Sequence, residues 1–161
     1  MVLVTMGGVR WDYTFVPRLA AYAPVHFVIP GAVDVAERHD NTLLLPANLP
    51  PWYHPDLVHA SDAVIGKLGY STLAEAFHAG TRFGYVPRPR FRESDVFERY
   101  VAAWMSGLRL SGPRFASGEW LSQLPELLVL PRRTAPAANG AAQVATYVPN
   151  LGLPGGRLAA V

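Results

Sequence analysis

The sequence predicts an α/β domain: a Rossmann-like parallel sheet with helices on both faces. The first observation is a set of short, continuously apolar runs, at residues 2–6, 25–29, 42–45, 62–65 and 82–86. Strands buried on both faces read in this way, whereas half-exposed strands alternate. The second is the amphipathic segments between these runs, because strands alternating with helices give a parallel sheet covered on both sides. The third is the glycine and proline turns that follow the strands, namely Gly7-Gly8, Pro46-Ala47-Asn48, residues 66–71 and residues 87–92. In a parallel sheet these turns share the carboxyl edge, where ligands bind near the reversal of strand order.

Each element has its own signal. The strand at 2–6 ends on Gly7-Gly8, and a helix is expected over about 12–22 with Phe15, Val16, Leu19 and Ala20 on one face. Strands at 25–29, closed by Pro30-Gly31, and at 42–45 follow. A short helix near 54–60 leads into the strand at 62–65 and then a helix at 71–79, which Gly80 stops. After the strand at 82–86, a helix over 94–106 carries Val96/Phe97, Tyr100/Val101 and Trp104/Met105 at helical spacing, with Gly107 as its stop. A short strand at 108–110 and helices near 118–128 and 137–147 complete residues 1–148 as one domain. The Gly/Pro/Ala-rich residues 149–161 are expected to be a flexible C-terminal tail. No internal repeat or second domain is expected.

Bulk properties narrow the function. A chain of 161 residues with 50% hydrophobic content is one domain with ample material for a core. It has no apolar run long enough to span a bilayer and lacks the opening pattern of a signal peptide, so a cytoplasmic protein without a transmembrane segment is expected. The absence of cysteine excludes disulfide and thiolate chemistry. A formal charge of +2 gives no argument for nucleic acid.

The most informative stretch runs from Ala63 to Gly80. A buried strand passes through Gly66 and Gly69 into a helix that Ser71 or Thr72 is expected to cap. Such a turn gathers free N–H groups and the positive end of the helix dipole, which suits a phosphate. Glu75 is expected in the first turn, where its carboxylate either stabilises the helix or reaches the vicinal hydroxyls of a ribose. The pattern is neither a Walker loop nor a G-x-G-x-x-G fingerprint.

These features resemble the C-terminal, donor-binding half of GT-B glycosyltransferases, as in the peptidoglycan N-acetylglucosaminyltransferase family and the catalytic subunit of the split eukaryotic UDP-GlcNAc transferase. Three matches carry the resemblance over roughly residues 1–148. They are the opening strand with Gly7-Gly8, residues 60–65 before a glycine turn, and residues 71–80 followed by a strand ending in Pro87. Residues 93–107 also resemble the glycosyltransferase-like N-terminal region of arabinokinase-type proteins. The resemblance implies a UDP-sugar as substrate, with no cofactor and no metal. Glu75 matches the glutamate that binds the ribose, and Gly69, Tyr70, Ser71 and Thr72 match the turn and helix start that receive the diphosphate. Residues 46–49, including Ala47 and Asn48, match the backbone that reads the base, and Gly7 and Gly8 match the loop facing the donor. The loop after the fifth strand lacks the family's glutamine, and Glu93 or Asp95 is the candidate substitute for its sugar-holding residue, with Arg92 beside Glu93. The catalytic base has no counterpart in this sequence, so a separate acceptor-binding chain or domain is expected to provide it.

Other residues have competing readings. Lys67 neutralises phosphate or is a solvated lysine at a strand end, and Arg88, Arg90 and Arg92 face the same rim or simply solvent. His54, Asp56 and His59 lack metal-ligand spacing and read as proline-flanked surface residues. His78 reads as structural and Trp52-Tyr53 as packing rather than base-stacking. An apolar surface including Trp52 or Trp104 suits self-association as a homo-oligomer or binding of a partner. The leading expectation is a donor-binding half that transfers a hexosyl group to an acceptor hydroxyl. The alternatives are a non-catalytic nucleotide-sugar-binding or assembly module and a phosphate-binding α/β domain of unrelated chemistry.

Overall fold

A computed structural model of the chain describes residues 1–9, 11–47, 52–134 and 140–148. Asn48 and the tail at 149–161 lie outside the described residues. The strands are β1 (Val2–Thr5), β2 (Phe27–Pro30), β3 (Glu37–His39), β4 (Thr42–Leu45), β5 (Ala63–Lys67), β6 (Arg82–Val86) and β7 (Gly107–Arg109). They form one sheet in the order β3-β4-β2-β1-β5-β6-β7. Every pairing is parallel except that of β3 with β4. The fold is therefore the expected Rossmann-like α/β sheet. The chain reverses its direction of growth across the sheet between β4 and β5, so the switch point lies at β1.

Strand side chains alternate between two cores. Val2, Val4, Phe27, Ile29, Ala63 and Ile65 face one side, where they meet Phe15, Leu19, Phe115, Trp120 and Leu124. Leu3, Val28 and Val64 face the other, against Val58, Leu73, Ala76, Phe97 and Val101. The second layer consists of α1 (His54–His59), α2 (Tyr70–Ala79) and α3 (Ser94–Trp104). The first contains 3₁₀ turns at 16–22 and 119–123 together with α4 (Gly112–Ser117) and α5 (Leu124–Val129). A further helix, α6, covers Ala141–Tyr147.

Several element boundaries differ from the sequence reading. The helix expected over 12–22 shortens to a 3₁₀ turn with Pro17 in its first positions. Here Asn41 Nδ2 donates to the carbonyls of Leu19 and Val25 at 3.0 and 2.8 Å, tying the turn to the sheet. The segment expected as one helix near 118–128 divides before α5, where Pro125 opens a new helix. An unanticipated α4 precedes it, capped by Ser111 Oγ, which accepts the Arg114 N–H at 3.3 Å. Met105 is buried as expected of a core stripe, whereas Trp104 is exposed.

Candidate functional site at the carboxyl edge

Because β1, β2, β4, β5 and β6 run parallel, their following loops meet at one edge. A cleft of about 450 Å³ opens there at the switch point. Gly7 and Gly8 line it from the β1 loop, Pro30 and Gly31 from the end of β2, and Ala47 from the β4 loop. Ser71, Thr72 and Glu75 line it from α2, with His54 and Thr5 between the two sides. A contiguous recess of about 340 Å³ shares Gly7, Gly8, Gly31 and Ala47 and extends to Asp34. Both volumes fall in the range of small-molecule sites, roughly 300–1,000 Å³.

Backbone constraints build this edge. Gly7 has φ +58°, the left-handed conformation that turns the chain sharply out of β1. Its N–H donates to Thr5 Oγ1 at 3.1 Å. At Gly66 a Cβ would lie 2.0 Å from the Thr5 carbonyl oxygen, so only glycine lets β5 pair this closely with β1.

The start of α2 differs from the expected cap. The helix begins at Tyr70, with extended Gly69 as its N-cap and no side-chain cap. Ser71 and Thr72 are therefore its second and third residues: Ser71 is exposed and Thr72 is buried. The Gly69 carbonyl accepts the Leu73 N–H at 2.9 Å, which starts the ladder two residues before Ser71 and three before Thr72, too early for either hydroxyl to serve as the cap. Glu75 consequently lies in the second turn rather than the first, where a dipole role weakens.

Glu75 is held by a residue that the sequence reading placed on the surface. His54, the first residue of α1, brings Nδ1 within 2.6 Å of Glu75 Oε2 and Nε2 within 3.2 Å of Thr5 Oγ1. Both side chains are half-buried. His54 is thus a correction: it belongs to the cleft, while Asp56, His59 and His78 are exposed. The only sequence signal was its place just after the β4 loop, since its partners are 21 and 49 residues away.

The remaining candidates separate. Gly69 does not line the cleft but stands beside Lys67, whose Cε would lie 3.6 Å from a Cβ there. The same lysine reaches over to the β1 loop, 3.3 Å from a Cβ at Gly7. Burial, and then Arg88 nearby, push its ammonium below the usual lysine range. Among the described residues no carboxylate pairs with it. Tyr70 turns toward α3, packing edge-on against Phe97 with ring centroids 5.8 Å apart. Arg92 and Glu93 are exposed on the β6–α3 loop and do not line the cleft. In that loop Arg88 stacks on Phe91, its guanidinium carbon 4.2 Å from the ring centroid. Among the described residues no group of three His, Asp or Glu side chains is placed to hold a metal, and no helix is long and apolar enough to cross a membrane.

No family model matches the chain. L-arabinokinase from Arabidopsis thaliana is 27% identical over 103 residues, which are 64% of this chain and 10% of that protein. Among solved structures, the glycosyltransferase SnogD from Streptomyces nogalater is similar, with a TM-score of 0.47 and 20% identity over 90% of this chain and 43% of that one. The chain spans less than half of either protein.

Proposed function

We propose that the chain is the donor-binding half of a GT-B glycosyltransferase and that the cleft takes the nucleotide of a UDP-sugar. The observation that carries this reading is the carboxyl-edge cleft itself, where a glycine loop and a helix N-terminus stand opposite each other with a half-buried carboxylate between them. In the proposed complex Glu75 accepts hydrogen bonds from the ribose hydroxyls. The diphosphate lies between the α2 amides and Lys67, and the loop containing Ala47 faces the base. In transfer, an acceptor hydroxyl attacks the anomeric carbon as its bond to the diphosphate breaks. The helix N-terminus and Lys67 stabilise the charge that collects on the leaving diphosphate, so the site needs no metal. The acceptor and the base that takes its proton come from another domain or chain.

The test is calorimetric titration of UDP, GDP and dTDP into the wild type and Glu75→Ala. UDP should bind, and loss of charge-assisted bonds worth about 1.5–3 kcal/mol should weaken it roughly ten- to a hundredfold in Glu75→Ala. Affinity unchanged by the substitution, with only a slight drop in melting temperature, would identify Glu75 as a helix-stabilising residue. Binding of UDP with no transfer from a UDP-sugar, even with an acceptor and an acceptor domain supplied, would favour the non-catalytic module, a reading that the position of Arg92 and Glu93 outside the cleft supports.

A further inference from the structure

We propose that His54 is the positioning residue of the cleft. Protonated on Nδ1 and accepting on Nε2, it sets Glu75 to select a ribonucleotide over a 2′-deoxyribonucleotide, an assignment that rests on the nucleotide reading above. The partners of each group fix the direction of the hydrogen bonds. Thr5 Oγ1 accepts the Gly7 N–H at 3.1 Å, which leaves its own proton to donate. His54 Nε2, 3.2 Å away, accepts that proton when the ring carries its own proton on the other nitrogen. The ring proton sits on Nδ1, because Glu75 Oε2 at 2.6 Å is a carboxylate oxygen that can only accept from it. With this one arrangement every donor in the chain Gly7–Thr5–His54–Glu75 has an acceptor.

The relay ties together three elements: the end of β1, the first residue of α1 and the second turn of α2. It occupies one carboxylate oxygen and leaves Oε1 for a ligand, since no other hydrogen bond to Glu75 occurs among the described residues. A long glutamate left to itself samples several rotamers, and ordering it on binding costs affinity. His54 removes that cost beforehand. Because the same chain of bonds ends on the Gly7 N–H, it also sets the glycine loop opposite the carboxylate.

The test measures the preference for UDP over 2′-deoxy-UDP by calorimetry. It compares the wild type with His54→Phe, His54→Asn, Glu75→Ala and the His54→Phe/Glu75→Ala double variant. The wild type should favour UDP by about tenfold or more, as expected for one charge-assisted hydrogen bond. His54→Phe keeps the ring but loses both bonds, and should cut that preference to about threefold or less. His54→Asn, which returns an N–H near the Nδ1 position, should restore most of it. The double variant should bind UDP no worse than Glu75→Ala alone, because the two residues act as one unit. A full ribonucleotide preference in His54→Phe, or additive losses in the double variant, overturns the proposal. If the wild type binds no UDP, or Glu75→Ala keeps the full preference, the nucleotide reading fails and the selectivity assigned to His54 fails with it. The relay is decided separately by long-range ¹H–¹⁵N NMR of the ligand-free wild type. A proton on Nδ1 is expected, and one on Nε2 alone overturns the arrangement.

Discussion

A carboxylate on the second turn of a helix gains little from the helix dipole, so its partner tells more about its role than its position does. Glu75 is half-buried against His54, and neither side chain is satisfied by solvent alone. Lys67 is the opposite case, a partly buried cation with no carboxylate partner among the described residues and a second cation, Arg88, close enough to lower its pKa. Lys67→Met should therefore leave the melting temperature unchanged or slightly raised while weakening UDP binding about two- to fivefold, as for loss of one partly exposed charge contact. Equal affinity of the variant and the wild type would return Lys67 to the surface-lysine reading. A check that needs no ligand comes from Tyr13: burial raises its phenol from 10.0 to about 12, partly offset by hydrogen bonding to the Met6 backbone. The folded state thus holds this proton where the unfolded chain releases it. Stability should be full below pH 10 and fall by about 2–3 kcal/mol as pH rises toward 12. Ultraviolet titration of the phenolates should show Tyr13 ionising late, and Tyr85, whose phenol burial also raises, later than the exposed tyrosines; simultaneous ionisation of all seven would contradict this burial.

At the scale of elements, the central strands and α2 were legible because their apolar runs and glycine stops are local signals. The strand at 82–86 and the onset of the short helix at 54 coincide with β6 and α1. The edge hairpin was not legible, because all three residues of β3 are exposed and carry no apolar pattern. Its only mark is the Asp40-Asn41 turn, where Asp40 takes φ +43°. Glu75 could be singled out from its strand–glycine–helix context. His54 could not, since a contact across 21 residues leaves no trace in local spacing. Arg92 and Glu93 were grouped with the rim because their loop follows a strand, yet the turn held by the Arg88 carbonyl, which accepts the Ser94 hydroxyl at 2.6 Å, leaves them exposed. The element most sensitive to substitution should be the β1–β5 pair. Gly66→Ala places a Cβ against the Thr5 carbonyl, and the strands must part to admit it. A loss of about 3 kcal/mol or more is expected by thermal or urea denaturation, on the scale of overpacking in a core. A wild-type midpoint in this variant would show that the two strands have slack.

At the scale of the molecule, six of the seven strands run in parallel and direct their loops to one edge. The central claim is that a nucleotide binds on that edge, between the β1 loop and α2. The most direct measurement is a map of backbone amide shifts as UDP is added to the ¹⁵N-labelled chain. Saturable shifts are expected at Gly7, Gly8, Ser71 and Thr72, with α4 and α5 unmoved. Shifts confined to the groove between α2 and α3, or none near millimolar UDP, would contradict it.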